Sequence, residues 1–191
     1  MTTNILIVGV GGQGVILASE LLSEAATQAG YDVKKSEVHG MSQRGGVVSS
    51  HIRFGEKVYS PLIPNGSANV VLAFEAAEGL RWCGQVSANG MLAMNTQQIV
   101  PPIAFTKEFS YPEDPVGDAR KHVKRVVPVD ALALANEAGN PKLVNTVLLG
   151  AISGELPISD DIWESVIRKR VPKGTEEANL SAFNKGKNAA K

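Results

Sequence analysis

The chain has 191 residues, and we expect residues 1–191 to form a single domain with a helical C-terminal extension from about residue 130. Nineteen Lys and Arg residues balance nineteen Asp and Glu residues, so the basic excess typical of nucleic-acid or anionic-membrane binders is missing. No apolar run approaches the roughly 20 residues that cross a bilayer, and Met1–Asn4 has no basic cluster that would begin a secretory signal. We therefore expect a cytoplasmic protein that binds neither nucleic acid nor membrane.

The first element is a short buried strand. Ile5–Val8 is a continuous apolar run typical of a parallel strand covered on both faces, and a glycine-rich turn follows at once. Gln13–Ala29 carries an apolar stripe of small residues and ends at Gly30, which predicts a helix. Asp32–Val38 predicts a second strand, which would complete a strand–helix–strand unit with a right-handed crossover.

The middle of the chain predicts further strands. Val47–Phe54 is predicted as a strand, with Lys57–Tyr59 as the return strand of a hairpin. Asn69–Phe74 is another buried apolar strand, and Glu75–Gly84 follows it as a short helix. Three more short strands are predicted at Gly90–Asn95, Ala104–Phe105 and Arg125–Val129. The predicted fold class is α/β, a Rossmann-like three-layer sandwich whose sheet is mostly parallel with antiparallel additions.

The last third of the chain shows helical periods and no strand signal. Pro172–Gly174 interrupts this region, and we expect the tail beyond Phe183 to be frayed. The predicted helices are Ala131–Ala138 after an Asp130 cap, Asn145–Ile152, Ile162–Arg170 after Ser159–Asp161, and Thr175–Phe183.

Cys83 is the only cysteine and limits the possible chemistry. Neither a disulfide, a four-cysteine zinc site nor a four-cysteine iron–sulfur cluster can form within the chain. We interpret Cys83 as a half-buried small apolar residue rather than a reactive thiol. His39, His51 and His122 lack the close spacing of metal ligands, so we predict no metal site.

A glycine motif lies between the first strand and the first helix. Gly9-Val10-Gly11-Gly12-Gln13-Gly14 fits the GxGxxG pattern, and the helix amino end behind it offers free N–H groups and partial positive charge to an anion. The candidate cofactor-binding residues are therefore Gly9, Gly11, Gly12, Gln13 and Gly14. Glu37, at the end of the second strand, is placed to accept the ribose hydroxyl of a dinucleotide. The alternative is a tight turn that only packs the helix against the sheet.

A second loop, rich in polar residues and glycine, follows the second strand. It leaves the carboxyl end of that strand, so it should border the same crevice as the glycine turn. Arg44 supplies a planar cation for a phosphate or a carboxylate; the alternative is a glycine-broken loop with a solvated Arg44. We identify no catalytic residue in it. The residues predicted to line an active-site cleft or to face a partner are Glu37, His39, Met41, Ser42, Gln43, Arg44, Gly45 and Gly46.

Two alternatives involve nucleotides. A stand-alone NAD- or flavin-binding oxidoreductase would use Gly9–Gly14 and Glu37, but the sequence shows no Tyr-x-x-x-Lys pair and no plausible His and Asp constellation. It also leaves little length for a separate substrate domain. A regulatory nucleotide-sensing module would bind nucleotide without an oxidoreductase partner, and no residue pattern favours it.

Three motifs together resemble a known family. Gly9–Val15, then His-Gly-Met-Ser-Gln-Arg-Gly-Gly at His39–Gly46, then Ser50–Arg53 resemble the gamma-type domain of 2-oxoacid:ferredoxin oxidoreductases. The resemblance covers most of the chain, including the Asn145–Gly150 helix. Gln43 stands where relatives acting on pyruvate or 2-oxoglutarate commonly have an acidic residue, which favours the branch acting on indolepyruvate and other arylpyruvates.

The resemblance implies a subunit of a complex that oxidatively decarboxylates 2-oxo acids to acyl-CoA, CO2 and reduced ferredoxin. It implies thiamine diphosphate, Mg2+ and iron–sulfur clusters on a larger partner subunit, none bound by this chain alone, with CoA as cosubstrate. The composition agrees, because one cysteine cannot hold a cluster. We expect this chain to close the active site and to help bind substrate or CoA, and we expect the isolated chain to be inactive.

Overall fold

The computed structural model describes residues 2–39, 46–100 and 110–190. Within these ranges the chain forms six strands and seven α-helices. The strands are β1 (Thr3–Val10), β2 (Asp32–His39), β3 (Val47–Gly55), β4 (Ala68–Ala73), β5 (Val86–Asn95) and β6 (Val126–Val129). The helices are α1 (Val15–Gln28), α2 (Ala76–Arg81), α3 (Pro115–Arg120), α4 (Ala131–Glu137), α5 (Val144–Ser153), α6 (Asp160–Arg170) and α7 (Glu176–Ala189).

The six strands form one sheet in the order β2-β3-β1-β4-β5-β6. β1, β4, β5 and β6 are parallel, whereas β3 is antiparallel to both of its neighbours, β1 and β2. The predicted α/β class with a mostly parallel sheet is confirmed. The expected strand–helix–strand unit differs in one respect, because β3 lies between β1 and β2.

The predicted hairpin between Val47–Phe54 and Lys57–Tyr59 is wrong. β3 pairs with β1 on one side and β2 on the other, so it has no free edge for a return strand. The segment after β3 is held by side chains instead: Asp32 accepts a hydrogen bond from Val58 N at 3.0 Å, and Arg53 Nη1 donates to Ser60 O at 2.9 Å.

Helices cover both faces of the sheet. Successive residues of β1 point to opposite sides, and Ile5 and Ile7 join the core under α1 and α4–α7, while Leu6 and Val8 join the core under α2 and α3. All four are fully buried, as expected of a strand covered on both faces. This arrangement confirms the three-layer sandwich.

After β6, the described residues form the helices α4 to α7, joined by short turns, and no further strand. The expectation of a frayed tail beyond Phe183 is wrong, because α7 continues to Ala189. Two ion pairs hold this extension, from Lys187 Nζ to Asp160 at 2.6 Å and from Lys185 Nζ to Glu137 at 2.7 Å. The predicted strand Ala104–Phe105 lies outside the described residues. Of the described helices, none has the length and apolar character needed to cross a membrane.

Candidate functional site

The carboxyl ends of β1 and β4 form the point where the helices change faces. α1 follows β1 onto one face of the sheet, and α2 follows β4 onto the other. Crevices at such a point are the usual ligand sites of open α/β sheets. The glycine turn therefore lies where a ligand site is expected.

The glycine turn requires its glycines for two different reasons. Gly12 has φ +97° and Gly14 has φ +86°, a conformation that side chains with a β-carbon rarely adopt. A β-carbon on Gly9 would lie 2.8 Å from Phe74 Cβ and 2.9 Å from Gln13 Oε1. The motif thus brings β1, the turn and the end of β4 into close contact.

The side chain of Gln13 closes the turn. Gln13 Oε1 accepts a hydrogen bond from Val10 N at 2.8 Å, and Gln13 Nε2 donates to Phe74 O at 2.9 Å. Asn95 Nδ2, from the end of β5, donates to the same carbonyl at 3.0 Å. Gln13, one of the predicted cofactor-binding residues, therefore uses both ends of its side-chain amide in hydrogen bonds within the protein.

The amino end of α1 has no cap. Gly14 provides no side chain, and the first turn contains no acidic residue. The first hydrogen bond within the helix is from Ala18 N to Gly14 O at 3.1 Å, so the N–H groups of the three residues Val15–Leu17 have no acceptor inside the helix. These groups and the helix dipole leave a partial positive charge at the crevice.

The second loop begins and ends beside the glycine turn. His39, at the end of β2, pairs with Val48, while Val10 pairs with Val47. Gly46 O accepts a hydrogen bond from Gly11 N at 2.9 Å. Gly40 and the predicted site residues Met41, Ser42, Gln43, Arg44 and Gly45 lie outside the described residues.

Glu37 does not have the position of a ribose-binding acid. Its Oε1 accepts a hydrogen bond from Ser19 Oγ of α1 at 2.8 Å and pairs with Lys35 Nζ at 2.8 Å. Because β3 separates β2 from β1, Glu37 lies about two strand spacings, roughly 10 Å, from the strand that leads into the glycine turn. A dinucleotide site places the acid on the neighbouring strand.

Glu75 is a buried site residue that the sequence analysis missed. It follows β4 and is 2% exposed, and its Oε2 caps α2 by accepting from Glu78 N at 2.9 Å. Glu75 Oε1 accepts from Ile99 N at 3.0 Å and from the hydroxyl of Tyr111. Burial and the Glu75 carboxylate hold the pKa of Tyr111 far above its usual value. An acidic residue directly after a buried strand was the available signal.

Asn145 is the second residue that the sequence analysis did not assign to the site. It lies in the first turn of α5 and is 8% exposed, and its Oδ1 accepts a hydrogen bond from Thr146 N at 2.9 Å. A β-carbon on Gly14 would lie 3.6 Å from Asn145 Cβ and 3.8 Å from Asn145 Nδ2. The amino end of α5 therefore meets the amino end of α1.

Cys83 is half-buried in a short 3-10 turn after α2. Burial raises the pKa of its thiol, so the group stays protonated at neutral pH and is a weak nucleophile. Within residues 2–39, 46–100 and 110–190, no group of three or more His, Cys, Asp and Glu side chains is arranged to hold a metal ion.

Known proteins match this chain over nearly its whole length. The family described as pyruvate ferredoxin/flavodoxin oxidoreductase matches residues 4–189. The indolepyruvate oxidoreductase subunit IorB of Archaeoglobus fulgidus is 39% identical over 194 aligned residues, which cover 100% of this chain and 96% of that protein.

Two solved structures have the same fold. The gamma subunit of a keto/oxoacid ferredoxin oxidoreductase from Geobacter sulfurreducens superposes with a TM-score of 0.75 at 22% identity, covering 100% of this chain and 97% of that one. The 2-oxoglutarate:ferredoxin oxidoreductase of Magnetococcus marinus, with 2-oxoglutarate, coenzyme A and succinyl-CoA bound, also gives 0.75 at 22% identity. There the match covers 99% of this chain but 31% of that one, so the fold also occurs as part of a longer chain.

Proposed function

Because the chain belongs to the pyruvate ferredoxin/flavodoxin oxidoreductase family, we propose that it is the small subunit of a cytoplasmic complex that oxidises a 2-oxo acid and reduces ferredoxin. The substrate class is indolepyruvate and related arylpyruvates. The observation that carries this proposal is the full-length similarity to an indolepyruvate oxidoreductase subunit at 39% identity. In the reaction the 2-oxo acid loses CO2, CoA takes the acyl group, and two electrons pass to ferredoxin.

The redox cofactors belong to a larger partner subunit in this proposal. One cysteine cannot bind a cluster that needs four thiolates, so the iron–sulfur clusters lie on the partner, together with thiamine diphosphate and Mg2+. The small chain then supplies binding surface rather than redox chemistry. It has no activity alone, and the partner needs it to turn over.

The glycine turn and the loop from His39 to Gly46 face the active-site cleft of that partner. The amino end of α1 offers uncapped N–H groups there, which suits a phosphate of CoA. Arg44 adds a full positive charge from the loop. The role of this chain is therefore to hold the anionic cosubstrate against the partner's reaction centre.

Reconstitution tests this function directly. The chain is co-expressed with a larger subunit of the same complex from the same organism, purified without oxygen, and assayed for viologen reduction by a panel of 2-oxo acids with CoA. We expect reduction only when both subunits and CoA are present, with arylpyruvates preferred over pyruvate and 2-oxoglutarate. A preparation of both subunits that reduces no viologen with any 2-oxo acid would contradict the proposal.

The substitution Arg44→Ala, made in the same complex, tests the role of the loop in substrate binding. We expect Arg44→Ala to raise the KM for CoA or for the 2-oxo acid about tenfold or more, since a charge-assisted hydrogen bond is lost, with little change in thermal stability. Arg120→Ala is the matched control, because Arg120 is an exposed cation on α3. Full activity of Arg44→Ala under subsaturating substrate would refute the role.

A further inference from the structure

The strand pair β2–β3 carries a helix on one face only. α1 packs on that face, where Val48, Ile52 and Phe54 of β3 join the core beneath it. On the other face, which we call the outer β2–β3 face, the core under α2 and α3 includes no side chain of β2 or β3 among the described residues. This part of the sheet therefore lacks the third layer that covers β1, β4 and β5.

The segment after β3 crosses the outer β2–β3 face and is fixed to it at both ends. Val58 N donates a hydrogen bond to Asp32 Oδ2 of β2 at 3.0 Å, and Ile63 N donates to His51 Nδ1 of β3 at 3.3 Å. The side chains of Val58 and Ile63 are both buried. The segment is therefore attached through its backbone and through two apolar side chains.

Arg53 fixes the middle of the same segment. Its Nη1 donates to Ser60 O at 2.9 Å and to Leu62 O at 3.1 Å. Its Nε donates to Asn4 Oδ1 of β1 at 2.9 Å, which holds the guanidinium in place. A segment ordered in this way loses little further conformational entropy when it binds another protein.

Exposed apolar side chains are concentrated on this face. Tyr59 is 89% exposed, Leu62 58% and Val38 56%, and these are the three most exposed large apolar side chains in the part of the chain that the structure describes. Val38 projects away from α1, because the preceding Glu37 contacts α1 through Ser19 and successive side chains of a strand alternate. Ordered tyrosine and leucine side chains exposed together are typical of a protein interface.

The position of the face favours the larger subunit as its occupant. Val38 directly precedes His39, where the loop that faces the partner in the proposed function begins. From Asp32 to Val38 the face extends roughly 20 Å along β2. A stable interface buries roughly 800 Å² on each partner, more than three side chains supply, so the occupant must also contact the surface around them. The larger subunit meets this condition because it contacts the adjoining loop.

The charges at the rim of the face favour a different protein over a second copy of this chain. They are the cations Lys34, Arg53 and Lys57 and the anions Asp32 and Glu56. Asp32 is already paired with Lys34 and lies 3.7 Å from the Nζ of Lys57, whose side chain is 65% exposed. Two copies would bring the same excess of cations together, whereas carboxylates on another protein would pair with it.

We propose that the outer β2–β3 face docks into an apolar groove of the larger subunit, with Tyr59 and Leu62 as its buried anchors and acidic side chains of that subunit facing Lys57. This inference rests on the proposed function and adds to it the surface that holds the two subunits together. The glycine turn contributes to the reaction from the carboxyl edge of the sheet, whereas this face supplies affinity between the subunits.

The test measures dissociation of the co-expressed complex in a dilution series, by sedimentation velocity without oxygen. Leu62→Ala removes one anchor and Tyr59→Ala removes the larger one. Leu132→Ala is the matched control for Leu62→Ala, since Leu132 is 37% exposed on α4, which packs on the opposite face of the sheet. Because all three side chains are exposed, thermal unfolding of the small chain should be unchanged in each variant.

We expect Leu62→Ala to raise the Kd between the subunits about tenfold and Tyr59→Ala about thirtyfold, as for buried anchors of an interface, with no change for Leu132→Ala. Equal dissociation of the three variants and wild type would overturn the inference. A dimer of the small chain alone that Tyr59→Ala dissociates would also overturn it, because the face would then be a contact between copies.

Charge reversal tests the acidic groove. Lys57→Glu should raise the Kd severalfold at low salt and less at high salt. Lys173→Glu is the control, since Lys173 is an exposed cation between α6 and α7, and should change the Kd at neither salt concentration. Equal Kd values for Lys57→Glu and Lys173→Glu at low salt would contradict acidic side chains facing Lys57.

The outcome is separable from that of the proposed function, because dissociation and viologen reduction are measured independently. With the small subunit in excess, the Tyr59→Ala complex should have the kcat of wild type, since the substitution weakens assembly alone. An active complex that dissociates equally in all variants would sustain the function and refute the docking face. A complex that dissociates in the expected order but reduces no viologen would sustain the docking face and refute the function.

Discussion

At the scale of single residues, Gln13 shows how a motif position can serve the fold. Its amide joins Val10 N to Phe74 O, and so connects the end of β1 to the end of β4. A GxGxxG pattern treats this position as variable. Here the side chain supports the backbone geometry of the turn through both ends of its amide.

Gln13→Glu tests this role. The carboxylate keeps an acceptor for Val10 N but places an oxygen 2.9 Å from Phe74 O, where the amide donated. We expect the free energy of unfolding to fall by about 1–3 kcal/mol, measured from the denaturant midpoint. Gln98→Glu, at an exposed position, should change it by less than about 0.5 kcal/mol. An unchanged midpoint for Gln13→Glu would contradict the role.

Glu78 is a buried carboxylate whose ionisation opposes folding. It is 5% exposed, its Oε2 has no hydrogen-bond partner within the described part of the chain, and Arg81 Nε lies 3.2 Å from its Oε1. Burial raises the pKa of Glu78 above its ordinary value of 4.5, more than Arg81 lowers it. The stability that the protonated carboxyl of Glu78 contributes is therefore fully present below pH 4.5, and it is lost as the pH rises through the folded-state pKa.

Glu78→Gln should remove this pH dependence. We expect the variant to be more stable than wild type at pH 7, by on the order of 1 kcal/mol, and less different from it at pH 4. Thermal unfolding across this pH range measures the effect. Glu164→Gln is the control, because Glu164 is 53% exposed and pairs with Arg168 on the surface. A Glu78→Gln variant that is less stable at pH 7 would show that the Arg81 pair dominates.

At the scale of elements, α5 and α7 cross with their backbones in contact. A β-carbon on Gly186 would lie 1.9 Å from Val147 O, and one on Gly150 would lie 2.0 Å from Phe183 O. Two glycines, one on each helix, permit this approach. The contact at Gly186 lies in the part of α7 beyond Phe183, where the sequence pattern alone predicted an end, and adds to the two ion pairs that hold this segment.

Gly186→Ala tests the crossing. Because the added methyl meets backbone atoms that cannot rotate away, we expect a loss of about 2–4 kcal/mol in the free energy of unfolding. Gly154→Ala is the matched control, with φ −68° and nothing within 4 Å of the added carbon, and should be neutral or stabilising by less than about 1 kcal/mol. Equal stability of the two variants in chemical denaturation would contradict the close crossing.

At the scale of the whole molecule, the position of β3 decides what the glycine motif can do. β3 separates β2 from β1, so Glu37 and the glycine turn do not form the paired site of a dinucleotide-binding fold. The carboxyl ends of β1, β4 and β5 instead bring together Gln13, Glu75 and Asn95 around Phe74. In this topology the glycine motif therefore has different neighbouring residues from those it has in a dinucleotide-binding fold.

Titration of the full chain with NAD and with flavin mononucleotide tests this consequence. We expect no binding in the micromolar range, because the ribose-binding acid is absent from the neighbouring strand. Fluorescence titration through Trp82 and Trp163 or calorimetry measures it. Micromolar affinity for NAD that is abolished by Glu37→Ala would support the alternative hypothesis that the chain is a stand-alone NAD-binding oxidoreductase.

The sequence by itself determined the local elements and the family. Apolar runs, helix periods and the position of Asp130, whose side chain accepts from Ala133 N at 3.0 Å, are properties of neighbouring residues. For that reason Ile5–Val8, α1, β4 and α5 were predictable. The family could likewise be recognised from the residue types of the paired motifs at Gly9–Val15 and His39–Gly46.

The tertiary structure decided the contacts between residues distant in the chain. Periodicity does not say which strands become neighbours, so the insertion of β3 and the absence of a hairpin at Lys57–Tyr59 could not be predicted. The approach of Asn145 to Gly14 and of Gly186 to Val147 depends on how helices pack on the finished sheet. A side chain becomes part of a site through such contacts, and they are fixed by the packing of the whole molecule rather than by local sequence.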